Sequence, residues 1–71
     1  MTIAKEKLLN FTKKEMDVLG LVKEGLSTRE IASVLAMSED TVESYRRNMI
    51  KKAGAQNMVV VVYAAQSCGL I

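Results

Sequence analysis

Apolar side chains along this chain recur at intervals of three and four. Met16, Leu19 and Val22 form one set, and Ile31, Ala32, Val34 and Leu35 a second. Val42, Tyr45, Met49 and Ala53, with Ile50 beside them, form a third. That interval gathers side chains on one face of an α-helix, whereas a half-buried strand alternates every second residue. Polar residues mark where each helix begins. Thr12 with Glu15, and Ser27 with Glu30, have the three-residue spacing of a capping box, and Phe11 stands where a hydrophobic staple packs. Ser38 precedes Glu39 and Asp40, whose charges suit the positive end of a helix. Gly25 and Gly54 follow the first and third sets, where a left-handed cap ends a helix.

The closing segment sets propensity against context. Asn57 can cap a fourth helix, yet that helix would contain the run Val59, Val60, Val61 and Val62, and β-branched residues favour strands. A lone strand among helices would leave its backbone groups unpaired, and AAQSC continues in helix-forming residues towards Gly69, so helix is expected. Residues 1–10 are a weakly patterned lead-in, either a short extra helix or a linker. The expectation is an all-α fold, with a four-helix domain over residues 11–71.

Ala36, Met37 and Ser38 alone separate the second helix from the third, which spans about 39–53, and that is the turn length of a helix-turn-helix. Such a corner needs Ile31 and Leu35 inward, a small residue at Ala32 where the helices cross, Met37 in the turn, and Val42 and Tyr45 completing the interface. Helical geometry then turns Glu43, Ser44, Arg47 and Lys51 outward. Two readings of that face stay open. Glu43 and Arg47 can form an ordinary surface pair worth about 0.2–0.5 kcal/mol, or the face can enter a major groove.

Charge placement favours the groove. The formal net charge is only +2, but Arg46, Arg47, Lys51 and Lys52 concentrate positive charge on the third helix, as phosphate neutralisation requires. Thr28 and Arg29 begin the preceding helix, where a hydroxyl, a guanidinium and backbone N–H groups can hold one phosphate.

Composition removes other classes. The chain has no histidine and Cys68 is its single cysteine, so neither a metal site, nor a cofactor, nor a disulfide is expected. Without a histidine base, a glycine-rich phosphate loop or a nucleophile motif, it does not read as an enzyme. No apolar run approaches the ~18 residues of a membrane span, and the start MTIAKEKLLN has no signal-peptide core. A cytoplasmic protein is expected, in which the sequon at Asn10, Phe11 and Thr12 is coincidental. At 71 residues one core supplies only about 3–5 kcal/mol, which points to oligomerisation or a partner domain.

The run FTKKEMDVLGLVKEGLSTREIASVLAMSEDTVESYRRNMIKKAG, followed by YAAQSCGLI, resembles the LuxR-type (GerE-type) helix-turn-helix DNA-binding domain of bacterial transcription regulators, including NarL- and FixJ-like response regulators. The resemblance implies a sequence-specific regulator that binds double-stranded DNA with its third helix in the major groove, a dimer contact through the fourth, and no catalysis. Base-reading positions then correspond to Glu43, Ser44 and Arg47. Phosphate-contacting positions correspond to Thr28, Arg29, Thr41, Tyr45 and Lys51, with Arg46 added by its placement. Three positions depart from the family pattern. Glu43 stands where a basic residue is frequent, and can accept from a cytosine amino group, orient Arg47 towards guanine, or repel wrong sites; the orienting role is the favoured expectation. Tyr45 stands where histidine is common. Met58 replaces a frequent arginine, and valines follow it where polar residues are usual.

On a helix the valines point in different directions. Val61, Ala65 and Cys68 are expected inside, leaving Val59, Val62, Tyr63 and Gln66 for a twin molecule in a homodimer on DNA. The alternatives are an upstream sensor domain covering that surface, or a protein-interaction module that heterodimerises with another regulator through the same helix.

Overall fold

In the computed structural model, which describes residues 3–71, all four anticipated helix starts carry a side-chain cap. The first two residues of the 1–10 lead-in lie outside the described residues. The helices are α1 (Lys5–Leu9), α2 (Lys13–Lys23), α3 (Thr28–Leu35), α4 (Glu39–Ala53) and α5 (Met58–Ser67), with no strand among the described residues. Both capping boxes close. Thr12 Oγ1 accepts the Glu15 N–H at 3.1 Å while Glu15 Oε1 accepts the Thr12 N–H at 2.8 Å. Ser27 and Glu30 repeat the exchange at 3.2 and 2.8 Å. Ser38 Oγ and Asn57 Oδ1 each accept a first-turn N–H at 3.1 Å, from Thr41 and Val60. Caps of this kind contribute about 1 kcal/mol each.

Helix α4 is the hub, packing against each of the other four helices. Its inner stripe of Val42, Met49 and Ala53 is buried against Leu19 of α2, Ile31 of α3 and Val61 of α5. The lead-in takes the helical form, and Leu8 of α1, at 1 % exposed, joins the core. Two apolar positions lie elsewhere than their pattern suggests. Val34 belongs to the apolar set of α3, though not to the residues the corner needs inward, and is 61 % exposed. Val18 is fully buried although the pattern had passed over it. The valine run is helical, as context required; Val61 and Ala65 are buried, Cys68 packs against the core, and Met58 is buried with them.

The corner between α3 and α4 turns on Ala36, which adopts φ 54 and ψ 46. Met37 N–H reaches back to the Ala32 carbonyl at 2.9 Å, closing the α3 terminus as a left-handed cap. A Cβ in that conformation costs roughly 1–2 kcal/mol, partly offset by the greater unfolded-state freedom of glycine. Ala36→Gly is therefore expected to stabilise the domain by about 0.5–1 kcal/mol, measured as a raised midpoint of urea unfolding.

One charge is sealed inside. Glu15 is 2 % exposed, and besides its cap bond its Oε1 accepts from Lys52 Nζ at 2.7 Å. The same ammonium donates to the Asn10 carbonyl at 3.4 Å. Burial by itself pushes the Glu15 carboxyl up, but the Lys52 ammonium together with the Thr12 N–H and hydroxyl hold it below its ordinary range. The pair ties the end of α4 to the start of α2.

Candidate nucleic-acid interface

With Val42 and Met49 buried, the opposite side of α4 faces solvent. Thr41, Ser44, Arg47 and Lys51 are exposed there, and Glu43 is half-buried beside them. Glu43, Ser44 and Arg47 therefore share one face. Tyr45 is partly buried, its ring packed against the core. Arg47 Nη2 lies 3.5 Å from Ser44 Oγ, the outer limit of a hydrogen bond, so the guanidinium is nearly unencumbered.

Glu43 turns away from Arg47. Its Oε1 accepts from the Thr28 hydroxyl at 2.5 Å and lies 3.8 Å from Arg46 Nε, and no ion pair with Arg47 occurs among the described residues. The Glu43–Arg47 surface pair is thus not formed, and the expected orienting of Arg47 by Glu43 has no contact supporting it among the described residues. The cause is tertiary: the sharp corner at Ala36 brings the first turn of α3 against the second turn of α4, offering Glu43 a hydroxyl from fifteen positions away. Helical spacing alone could not signal that contact.

The basic cluster is also smaller than the composition of α4 implied. Lys52 is committed to Glu15, leaving Arg29, Arg46, Arg47 and Lys51 as the cations around this face. Thr28 does come next to α4, through its bond to Glu43, and Arg29 follows it, exposed, in the first turn of α3. Ser27 and Glu30 satisfy each other, and the Thr28 and Arg29 N–H groups have no acceptor among the described residues. Ser38 Oγ lies 2.8 Å from Thr41 Oγ1, fixing the Thr41 hydroxyl at the start of α4.

A second surface lies on α5. A groove of about 320 Å³ runs between α2 and α5, walled by Val22, Val59, Val62, Tyr63 and Gln66, with Arg46 of α4 at its edge. Val59 and Tyr63 are 76 % and 69 % exposed. All four residues expected at a dimer contact line this one groove. No helix among the described residues is long and apolar enough to cross a membrane, and their Cys, Asp and Glu side chains form no cluster that could hold a metal ion.

Two helices meeting at a three-residue corner, with a polar and basic face on the second, define a helix-turn-helix domain. The sequence profile of the bacterial regulatory proteins of the luxR family (GerE) matches residues 9–65, and the chain belongs to that family. It is a family of transcription regulators and not of enzymes. The regulatory protein SdiA of Escherichia coli (strain K12) is 41 % identical over 63 residues, 89 % of this chain and 26 % of that protein. The nitrate/nitrite response regulator protein NarP of the same strain is 44 % identical over 48 residues, covering 68 % of this chain and 22 % of NarP. A crystal structure of Escherichia coli SdiA superposes with a TM-score of 0.86 at 39 % identity, over 100 % of this chain and 28 % of SdiA. The chain thus spans about a quarter of the length of these relatives.

Proposed function

We propose that the chain binds double-stranded DNA sequence-specifically, with α4 in the major groove and two copies on paired half-sites. Glu43, Ser44 and Arg47 read base edges. Thr28, Arg29, Thr41, Tyr45, Arg46 and Lys51 contact phosphates, Thr28 through its backbone N–H because its hydroxyl is spent on Glu43. Val59, Val62, Tyr63 and Gln66 form the dimer contact. The observation that carries the reading is the exposed Ser44–Arg47 face standing directly over buried Val42 and Met49, with cations on either side. A regulator of this kind works in the cytoplasm, where bacterial DNA lies. A sensor or partner domain, as response-regulator relatives suggest, would act by controlling access to the α5 groove.

Salt dependence tests this reading. If each protomer neutralises about four phosphates, the log–log slope of affinity against salt is expected near −7 for the dimer, measured on a duplex selected from a random library. A slope near zero would remove the DNA reading. The exposed apolar groove favours one further possibility, a protein-interaction module that heterodimerises with another regulator through α5. That module would retain no DNA when alone.

A further inference from the structure

Glu43 is anchored at one oxygen. Oε1 takes the Thr28 hydroxyl and lies near the Arg46 guanidinium, whereas Oε2 has no hydrogen-bond partner among the described residues, and the side chain stays 44 % exposed. Thr28 is not the cap of α3, since Ser27 fills that place, so the Thr28 hydroxyl is free to serve its neighbour helix. A carboxylate held from behind presents its second oxygen as a ready acceptor, without losing side-chain freedom when a ligand arrives.

Such an acceptor discriminates among base edges. In the major groove only cytosine N4 and adenine N6 donate, while guanine and thymine present O6 and O4, which repel a carboxylate. Adenine also places its N7 acceptor next to N6, and cytosine presents no such acceptor beside N4. We infer that Glu43 is a specificity-determining residue that accepts the N4 amino group of a cytosine, and that Thr28 is the positioning residue holding its carboxylate for that contact. The inference rests on the DNA-binding reading above. It also joins two tasks at one place, because the turn of α3 offered to a phosphate is the turn that aims a base-reading side chain.

The test uses the full chain and equilibrium binding to every single-base-pair variant of its selected site. The native protein is expected to prefer cytosine at one position by about tenfold. Glu43→Gln keeps an oxygen for Thr28 but replaces the free acceptor by an amide donor. It should reverse the preference at that position towards guanine or thymine and leave the others unchanged. Thr28→Val removes the hydroxyl while keeping the shape, and is expected to shrink the same preference about threefold, with Thr28→Ser restoring it. A merely structural role would weaken all sites alike. Selected, salt-dependent binding whose base preferences survive Glu43→Gln would overturn this inference and leave the DNA reading standing. Undiminished cytosine preference in Thr28→Val would overturn the positioning role, and a chain that retains no DNA would overturn both readings.

Discussion

Lys52→Met is expected to lower the unfolding free energy by about 2 kcal/mol, although its sequence context is that of a surface cation. Methionine keeps most of the aliphatic stem and removes the ammonium that faces Glu15 at 2.7 Å. The carboxylate stays buried at 2 % exposure with only the Thr12 N–H donating to it. Breaking a fully buried pair costs about 3–5 kcal/mol. The loss here is smaller because the Lys52 side chain is 36 % exposed and water can reach its end of the pair. For a domain of this size the change corresponds to a fall of roughly 10 °C in melting temperature. Acid gives the same contact a second signature. The Glu15 carboxyl lies below its ordinary range when folded, so the unfolded chain binds more protons. Its contribution is complete above the ordinary carboxylate pKa and fades as pH falls through the lower folded value. Lys52→Met should flatten that acid limb, which urea titrations at several pH values would reveal.

Arg47→Ala is expected to do the opposite. Arg47 is exposed and touches only Ser44 at the limit of hydrogen bonding, so the melting temperature should hold or rise slightly, alanine being the better helix former. Affinity for the selected site should fall about 10- to 100-fold, with preference for guanine lost at one position, because a bidentate arginine–guanine contact discriminates by about 1–3 kcal/mol. Arg47→Lys keeps the charge but loses the planar fork, and should recover non-specific binding better than guanine preference. Fluorescence anisotropy on matched and mismatched duplexes measures both. A destabilised Arg47→Ala protein with intact base preferences would refute the assignment of this face.

Local chemistry was legible in the chain and distant chemistry was not. The caps at Thr12, Ser27, Ser38 and Asn57 announce themselves because each depends on residues three positions apart. The Ala36–Ser38 corner was equally visible, and once it is formed the inward stripe of α4 dictates its outward one. Val34 carries the apolar spacing of α3 yet lies outside, so spacing alone does not tell buried from exposed positions in so short a helix. Leu8 gave too little pattern, in a five-residue helix, to declare itself core. Lys52 and Glu15 are 37 positions apart, and Thr28 and Glu43 are 15 apart. Neither separation has a periodic signature, so both pairs emerge only when the helices pack. The valine run shows the converse, a local strand preference overruled by the burial that Val61 and Ala65 achieve on a helix.

Arg46 belongs to two neighbourhoods, edging the α5 groove while its Nε approaches Glu43. On the proposed reading, any substitution there would touch subunit pairing and base choice together, so altering it cannot isolate a single role. Separating the two proposed roles therefore calls for residues that enter only one neighbourhood, Tyr63 in the α5 groove and Ser44 on the outer face of α4.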